Sequence, residues 1–469
     1  MKSPSILWYD LETFGLDSRG DRIAQFAAIR TNLALEQIEE PIVLYCKLSD
    51  DYLPDPLSCL VTGITPQEVN EKGLIEAEFI ALINKEFSRP NTTVAGFNSI
   101  RFDDEFIRSA LYRNFFDPYK REWEYNNSRW DIIDLVRAAH DLRPDGILWP
   151  DRSSENRPVF RLTSLTEANK IEQIGAHDAL VDVRATIAVA KLIKEKQPKL
   201  YEYYYNLRSK SEVKKIVSTP FGQPILYTNP LFSSEFGNTR LVLPITHLKT
   251  NPNAVLAFDL SQDATALLTA DPSSIMMVPG VVTISVNKCP FVSPLGILTD
   301  EVAKRLGIDK DAALAKAAYI ATQTNLLATI HSMKETFEVV DDVDYQIYSA
   351  FFTAQDQKVF DELRNARPEE KMSFNARVHD SRFGGLLFRH IGRNWPEVFN
   401  AENSARWRSH CANRTLNPPS DGKMNWKYFY RSIDEKLESV ETTPQEKQVL
   451  ASLKEYGKAL EQRIFGKDS

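Results

Sequence analysis

The chain has 469 residues, 43% of them hydrophobic and 26% charged, which is long enough for two or three domains and typical of globular proteins. Its formal net charge of -7 excludes a chain that is basic throughout but allows a local basic groove, and no apolar stretch reaches the length of a membrane-spanning helix. Four widely spaced cysteines without a C-x-x-C pair exclude a disulfide framework and a thiolate zinc site, so we expect reduced core thiols in a cytoplasmic, monomeric protein.

The first 195 or so residues predict a mixed α/β domain. Short apolar runs rich in branched and aromatic residues predict four strands, the first three in a meander, at 5–10, 24–30, 42–47 and 92–98. The predicted helices begin behind an N-cap at Thr65, at Asp103, where the helix runs to about Phe115, and near 178, where the helix runs to 196.

The remainder of the chain has a different pattern of residues. From about 220 to 300, short branched runs are punctuated by Pro, Gly and Asn, which predicts a small β-domain with helices appended near 300–330. From about 345 onward the pattern is mostly helical and ends in an amphipathic helix at 444–464. We therefore expect three domains, with the boundaries 1–195, 196–345 and 346–469.

Two carboxylates, Asp10 and Glu12, lie two positions apart within the apolar run of the first predicted strand. Because side chains alternate between the faces of a strand, both acids project from one face and repel each other unless cations lie between them. Taken alone, the pair fits a strand end that points two acids at water better than it fits a metal site.

Three further residues extend this pattern. Asp103 follows the fourth strand at a strand-to-helix junction, where α/β folds gather functional groups, although an N-cap aspartate is the ordinary alternative. His177 precedes Asp182 by five positions, which places the histidine on the loop that enters the long helix and the aspartate on the inward face of that helix. Each of the three, taken singly, fits a solvated or capping residue better than a ligand.

Together these residues predict a metal-dependent nuclease. Four acids at one point form a cage of oxygen ligands, which selects hard ions such as Mg²⁺ or Mn²⁺. Two such ions about 3.5–4 Å apart bind the attacking and the leaving oxygen of a phosphoryl displacement. A neighbouring histidine, whose unperturbed pKa is about 6.5, can take a proton from the attacking water near neutral pH.

The ordered series resembles the DEDD exonuclease superfamily, in its histidine-bearing branch, and is more specifically similar to bacterial exonucleases that degrade single-stranded DNA from the 3′ end. The resembling stretches lie at 10–15, 25–30, 62–66, 101–105, 112–119, 127–131, 176–179, 287–290 and 393–396. The resemblance implies an α/β ribonuclease-H-like exonuclease domain, a Src-homology-three-like β-barrel and a C-terminal α-helical domain that enclose a groove for the strand.

The resemblance also assigns roles within the site. It implies that two Mg²⁺ ions, replaceable by Mn²⁺, are bound by Asp10, Glu12, Asp103 and Asp182. It makes His177 the general base. Many superfamily members have an asparagine four residues before the second aspartate, whereas Asn98 is five before Asp103 and six before Asp104. Asp103 is therefore the better choice of ligand, with Asp104 as the alternative in the doublet.

A single strand is held by cations that track its phosphates and by rings that stack on its bases. The stretch 108–130 interleaves the two and is the first choice for a groove wall, with a core helix carrying ordinary aromatics as an equal alternative. Thr13 and Phe14 adjoin the metal acids and are candidates to hold the terminal nucleotide, while Arg161 resembles a family position that contacts DNA. The candidate substrate contacts are Thr13, Phe14, Arg108, Tyr119, Trp123 and Arg161.

A protein partner is also implied by the resemblance. Exonucleases of this kind dock the acidic, hydrophobic-ended tail of the bacterial single-stranded-DNA-binding protein, and Arg143 matches a family position beside an apolar pocket. We therefore expect a processive exodeoxyribonuclease that releases 5′-mononucleotides from the 3′ end of single-stranded DNA in repair and recombination. The alternatives are a 3′-to-5′ exoribonuclease and a non-catalytic scaffold that binds single strands.

Overall fold

A five-stranded mixed sheet forms the centre of the N-terminal part of the computed structural model, which describes residues 3–173, 178–323, 325–333, 340–419 and 424–466. Its strands are β1 (Ser5–Thr13), β2 (Ile23–Thr31), β3 (Ile42–Tyr45), β4 (Thr92–Gly96) and β5 (Ser128–Asp131). They lie in the order β3-β2-β1-β4-β5, with β2 antiparallel to both β1 and β3, and with β4 parallel to both β1 and β5. The four predicted strands and the meander are confirmed.

Helices cover both faces of this sheet. They are α1 (Pro56–Thr62), α2 (Pro66–Lys72), α3 (Glu76–Phe87), α4 (Asp103–Arg113), α5 (Ile132–Leu142), α6 (Leu162–Ala168) and α7 (Ala179–Lys196). The predicted N-cap at Thr65 is confirmed, since its side chain accepts a hydrogen bond from the backbone N–H of Glu68. The predicted helices at Asp103 and near 178 are confirmed as α4 and α7.

The alternation of side chains along β1 separates two apolar cores. Tyr9 packs in the core that includes residues of α3 and α4, whereas Trp8 packs in the core that includes residues of α7. Asp10 and Glu12 continue the face of Trp8, because side chains two positions apart share a face. Both acids therefore lie on the side of the sheet that α7 covers.

A second sheet follows in the middle of the chain. Its antiparallel strands, in the order β10-β6-β7-β8-β9, are β6 (Ile225–Thr228), β7 (Thr239–His247), β8 (Ala254–Asp259), β9 (Val281–Ser285) and β10 (Phe291–Pro294). The helices around it are α8 (Pro198–Asn206), α9 (Lys210–Ile216), α10 (Thr265–Thr269), α11 (Asp300–Leu306), α12 (Lys310–Ala321) and α13 (Asn325–His331). The predicted β-domain with helices appended near 300–330 is confirmed.

The C-terminal part is helical, as predicted. Its helices are α14 (Ala354–Asn365), α15 (Phe383–Asn394), α16 (Ala401–Leu416), α17 (Trp426–Glu438) and α18 (Pro444–Phe465). Single 3-10 turns at Val343–Tyr348 and Pro368–Arg377 connect these helices to the preceding domain and to one another. Within the described ranges, no helix is long and apolar enough to cross a membrane.

The four cysteines, Cys46, Cys59, Cys289 and Cys411, are all buried and free. Burial raises the pKa of each thiol, which keeps these side chains in the neutral form. The expectation of reduced core thiols is confirmed, and these cysteines have the environment of small apolar side chains.

A buried ion cluster joins the N-terminal domain to the C-terminal helices. The guanidinium of Arg393 on α15 donates to Asp51 at 2.7 and 2.9 Å and to Asp344 at 2.6 and 3.0 Å. Arg414 on α16 lies 3.2 Å from Asp344 and 3.7 Å from Asp51. Although burial alone raises the pKa of a carboxyl, the charge of Arg393 holds the pKa of both aspartates well below the usual range.

Aromatic packing reinforces the same interface. The ring of Phe115, just beyond α4, lies 5.1 Å from that of Phe360 and 5.4 Å from that of Phe383, measured between centroids. Tilted and edge-on ring pairs of this kind stabilise a packed interface beyond the area that they bury. The end of α4 is therefore fixed to the C-terminal helices, while its start carries Asp103.

Replacing Arg393 with Met should lower the stability of the folded chain by about 3–5 kcal/mol, because two buried carboxylates lose their shared partner. Thermal melting followed by circular dichroism measures this change. Arg367→Met is the matched control, since the guanidinium of Arg367 pairs with Glu370 at the surface and its loss should leave the melting temperature unchanged. Equal melting of Arg393→Met and the wild type would show that the cluster does not stabilise the fold.

Candidate metal centre and nucleic-acid groove

Three of the predicted acids converge at the end of β1. Carboxylate oxygens of Asp10, Glu12 and Asp182 all lie within 4.8 Å of one another. Asp10 and Glu12 come from the sheet and Asp182 from the first turn of α7, which covers that face. Glu12 is 8% exposed, so the cluster has limited access to solvent. The spacing and the oxygen donors fit a hard divalent cation.

Like charges face one another within this cluster. Burial, followed by the charges of Asp10 and Asp182, raises the pKa of Glu12 to about 9. Burial and then the charge of Asp182 raise the pKa of Asp10 well above its usual value. A bound cation would offset both shifts, because it favours the ionised carboxylates.

Asp103 is the fourth predicted acid and the first residue of α4, which follows β4. Since β4 pairs in parallel with β1, with Ala95 opposite Trp8, the start of α4 lies at the same edge of the sheet as Asp10. Asp103 is 4% exposed. Burial, and next the charge of Asp10, raises its pKa well above the ordinary value, which places it in the electrostatic field of the cluster.

Asp104 has the opposite environment. Its carboxylate accepts hydrogen bonds from Arg121 at 2.6 Å, from Arg129 at 2.9 Å and from the Tyr9 hydroxyl at 2.8 Å. Although burial acts to raise the pKa of Asp104, the two guanidinium charges lower it below the usual range. All the partners of Asp104 are buried protein groups, so this carboxylate has a structural role, and Asp103 is left as the member of the doublet that faces the acid cluster.

The start of α7 is fixed to the sheet by a polar side chain. Gln25 on β2 lies opposite Glu12, and its Oε1 accepts from the backbone N–H of Ala179 at 3.1 Å. Its Nε2 donates to the hydroxyl of Tyr45 at 2.9 Å. Asp178 caps α7 by accepting from the N–H of Leu180. The predicted general base, His177, lies outside the described residues.

The predicted contacts beside the acids differ in accessibility. Thr13 is buried, and its hydroxyl donates to the carbonyl of Gly15 at 2.8 Å. The ring of Phe14 is fully buried, in an apolar core that also contains Tyr52 and residues of the C-terminal helices. Phe14 therefore presents no free face for stacking on a base. Arg161 is exposed just before α6.

A cleft of about 940 Å³ lies where the three domains meet. From the predicted groove wall, Arg108, Tyr119 and Trp123 line it. Trp123 is 63% exposed, whereas Arg108 is 4% exposed because its guanidinium is held by Glu105 and Glu122, each at 2.8 Å. Trp123 thus offers a ring to a ligand, while Arg108 is already paired and supports the ring of Tyr119, 5.2 Å away.

Much of the predicted segment 108–130 faces the interior instead of the cleft. Arg113 pairs with Glu76, and Arg121 and Arg129 pair with Asp104. Trp130 is fully buried. The interleaved cations and rings of this segment therefore serve partly as core, which is the alternative that the pattern left open.

Other parts of the chain supply lining residues that local patterns do not indicate. They include Arg208, Lys210, Asn287, Lys288, Tyr348 and Phe351. Phe351 is 82% exposed and its ring lies 5.7 Å from that of Tyr119. Lys288 and Tyr348 both contact Glu105, which follows Asp103 by two positions. These lining residues lie far from the segment 108–130 along the sequence, so a local pattern could not predict their position in the cleft. Gln25 is a different case, because a single polar residue in an apolar strand is a signal that could have found it.

A second cavity, of about 370 Å³, lies between α5, α8 and the β-domain. It is lined by Leu142, Arg143, Gln197, Pro198, Lys199, Leu200, Tyr203 and Ile297. Most of these groups are apolar, and Arg143 and Lys199 supply positive charge. Such a pocket fits a peptide end that is both hydrophobic and acidic.

Three family models match the chain in succession. The model for Exonuclease matches residues 7–190, that for the Exonuclease I SH3-like domain matches residues 208–338, and that for the Exonuclease I C-terminal domain matches residues 341–460. Together they cover the α/β domain, the middle β-domain and the C-terminal helices.

Whole-chain relatives agree with these matches. Exodeoxyribonuclease I of Haemophilus influenzae is 40% identical over 433 residues, which cover 88% of this chain and 91% of that protein. The structure of a moderately thermophilic exonuclease I from Methylocaldum szegediense is 39% identical, with a TM-score of 0.92 and coverage of 97% of this chain and 99% of that one.

Two further structures contain ligands or partners. The zinc-bound form of an E. coli exonuclease I complex with single-stranded DNA is 35% identical and has a TM-score of 0.91, with coverage of 98% and 100% of the two chains. A structure of SSB and exonuclease I with the inhibitor CFAM is 35% identical and has a TM-score of 0.90, with the same coverage. The fold predicted from the sequence, with its α/β, SH3-like and helical domains, is confirmed.

Asp103→Asn and Asp104→Asn should shift the melting temperature in opposite directions when chelator is present. Asp103→Asn removes a charge that its neighbours repel and should raise the melting temperature. Asp104→Asn weakens the buried pairs with Arg121 and Arg129 and should cost about 3 kcal/mol or more. Differential scanning calorimetry in EDTA measures both variants, and shifts of the same sign would contradict the contrast between the two environments.

Proposed function

This chain belongs to the exonuclease I family, and we propose that it degrades single-stranded DNA from the 3′ end to 5′-mononucleotides, with Mg²⁺ as its cofactor. The observation that carries the proposal is the convergence of three carboxylates within 4.8 Å, on a sheet edge that also carries Asp103. The relatives that span nearly all of the chain are exodeoxyribonucleases, and one of them is complexed with single-stranded DNA.

The proposed metal ligands are the carboxylates of Asp10, Glu12, Asp103 and Asp182. Their oxygen donors and their mutual repulsion fit two Mg²⁺ ions, and Mn²⁺ as a substitute, since both ions are hard and prefer oxygen. When bound, the ions supply the positive charge that stabilises the attacking and leaving oxygens of an in-line displacement at phosphorus. A related enzyme binds zinc, so metal binding is a property of the family, while Mg²⁺ is our proposal for this chain.

His177 is the proposed general base. It lies one position before Asp178, the N-cap of α7, and five before Asp182. A histidine with an ordinary pKa of about 6.5 can take a proton from the attacking water near neutral pH. The oxygen of that water forms a new bond to phosphorus, the bond to the 3′ oxygen of the preceding nucleotide breaks, and a 5′-mononucleotide leaves.

The three-domain cleft is the proposed path of the strand. The exposed rings of Trp123 and Phe351 can stack on bases, each such stack stabilising the complex by about 1–3 kcal/mol, and Lys288 can pair with a phosphate. Thr13 and Arg161 remain proposed contacts, near the acids and before α6 respectively, and Tyr119 supports the ring of Phe351. Because three domains line the cleft, we propose that the strand is retained between successive cleavages.

The pocket beside Arg143 is the proposed site for the acidic tail of the bacterial single-stranded-DNA-binding protein. A carboxylate can pair with Arg143 or Lys199, while an apolar terminal side chain enters the cavity between Leu142, Leu200 and Tyr203. The complex of SSB with a related exonuclease I supports this assignment. The site lies apart from the acid cluster, on α5 and α8, so recruitment and hydrolysis use different surfaces.

We further propose domain boundaries of 1–195, 196–345 and 346–469 and a monomeric enzyme of the bacterial cytoplasm. The first boundary is supported by the end of α7 at Lys196. The second lies close to the start of the C-terminal family match at residue 341. The proposed role in DNA repair and recombination agrees with the proposed location in the bacterial cytoplasm.

Digestion of a 3′-labelled single strand tests this function. With Mg²⁺ the label should be released as mononucleotide, and EDTA should abolish the release, because the carboxylates alone cannot stabilise the displacement. Asp10→Asn should slow release about a thousandfold or more while DNA binding persists, since the cleft is unchanged.

An RNA strand of the same sequence is the control for the exoribonuclease alternative and should be degraded far more slowly. Unimpaired turnover by Asp10→Asn would refute the metal assignment. Binding of DNA without any metal-dependent release by the wild type would favour the scaffold alternative.

Arg143→Glu should weaken binding of a fluorescent acidic peptide with a hydrophobic C-terminal residue by at least about tenfold, because a like charge replaces the pairing group. Fluorescence anisotropy measures the dissociation constant. Lys447→Glu makes the same charge change on the exposed surface of α18 and should bind the peptide as the wild type does. Equal affinities for the two variants would place the tail elsewhere.

A further inference from the structure

Asp182 differs from the other acids of the cluster in the way its carboxylate is held. We propose that Gln173 and Thr166 are positioning residues that hold the Asp182 carboxylate in the orientation required for metal binding. This inference rests on the proposed function, because it concerns how one metal ligand is presented. Neither residue is part of the acid cluster itself.

A short chain of hydrogen bonds leads from α6 to the cluster. The side-chain Nε2 of Gln173 donates to Oδ1 of Asp182 at 2.7 Å, and Oε1 of Gln173 lies 2.6 Å from the hydroxyl oxygen of Thr166. Thr166 is 2% exposed and belongs to α6, while Gln173 lies on the stretch between α6 and α7. The carboxylate is thus connected to a buried side chain of α6 by two short polar contacts.

The donors and acceptors of these hydrogen bonds can be assigned in one consistent way. A metal-binding carboxylate is ionised and only accepts hydrogen bonds, so the amide of Gln173 must turn its NH₂ group toward Asp182. Its carbonyl oxygen then faces Thr166, whose hydroxyl must donate to it. The Thr166 oxygen also lies 2.8 Å from the carbonyl of Thr163 and 3.1 Å from that of Leu162, and the demand of Asp182 selects the glutamine over these competing acceptors.

Repulsion within the acid cluster explains why these hydrogen bonds matter for metal binding. Oxygens of Asp10, Glu12 and Asp182 lie within 4.8 Å of one another. Before metal binds, a carboxylate that rotates away from the others therefore lowers the energy of repulsion. The hydrogen bond from Gln173 opposes that rotation for Asp182. Groups that orient ligands in this way raise metal affinity because the site is ordered before the ion arrives.

The backbone of α7 is fixed independently of Gln173. Gln25 accepts from the N–H of Ala179, and Asp178 caps the helix. Removing the Gln173 amide should therefore leave α7 in place and take one orienting hydrogen bond from the side chain of Asp182. This separation predicts a loss of metal affinity without a matching loss of stability.

Titration with Mn²⁺, followed by electron paramagnetic resonance of the free ion in the absence of DNA, tests the proposal on the full chain. Gln173→Ala should raise the dissociation constant for Mn²⁺ by about 10–100-fold. Thr166→Val should raise it in the same direction and Thr166→Ser should restore it, because serine keeps the hydroxyl.

Two further variants serve as controls for the Mn²⁺ titration. Glu172→Ala alters the exposed neighbour of Gln173 and should bind Mn²⁺ as the wild type does, whereas Asp182→Asn removes the ligand and should lose at least one ion. If Gln173→Ala melts well below the wild type, the pair Thr166→Val and Thr166→Ser decides the question, because the two variants differ chiefly in one hydroxyl.

The outcomes separate this inference from the proposed function. A wild-type chain that binds no Mn²⁺ would refute the proposed function and the positioning role with it. A wild-type chain that binds Mn²⁺, together with Gln173→Ala and Thr166→Val variants of unchanged affinity, would overturn the positioning role alone. Weakened binding in both variants, with recovery in Thr166→Ser, supports it.

Discussion

Electrostatic repulsion among buried carboxylates is the constraint on which the functional centre depends. Burial raises the pKa of Asp10 and of Glu12, and each neighbouring acid adds to the effect. Keeping such groups together lowers the stability of the folded state unless a cation balances their negative charge. The arrangement therefore makes sense as a site that gains its full stability on binding metal, and it explains why acids from β1, α4 and α7 meet at one edge of the sheet.

The rest of the molecule holds this unfavourable cluster in place. Asp104 is paired with Arg121 and Arg129, which fixes the start of α4, while the rings around Phe115 fix its end. The buried contacts of Arg393 with Asp51 and Asp344 join the C-terminal helices to the same domain. Two kinds of buried charge thus have opposite roles: acids paired with guanidinium groups position the elements, and the mutually repelling acids of the cluster are the proposed ligands of a cation.

The sequence predicts the fold and the acids better than it predicts the groove. Residue patterns located β1 to β4, the β-rich stretch of the second sheet and the helices α4, α7 and α18, but not β5. The shared face of Asp10 and Glu12 follows directly from strand geometry. The direction of a charged or aromatic side chain depends on distant partners. Arg121 turns inward because Asp104 is there, and the exposed Phe351 joins Tyr119 although more than two hundred residues separate them. Local patterns contain neither fact, nor the contact of Gln173 with Asp182.

The central claim is that Asp10, Glu12, Asp103 and Asp182 form one metal cage. Anomalous scattering from crystals of the full chain grown with Mn²⁺ tests it most directly, because the peaks locate the ions without reference to activity. Our account predicts two neighbouring peaks, both within coordination distance of these four carboxylates, with Asp104 still paired with Arg121 and Arg129. Peaks at any other site, or an ion ligated by Asp104 in place of Asp103, would contradict it.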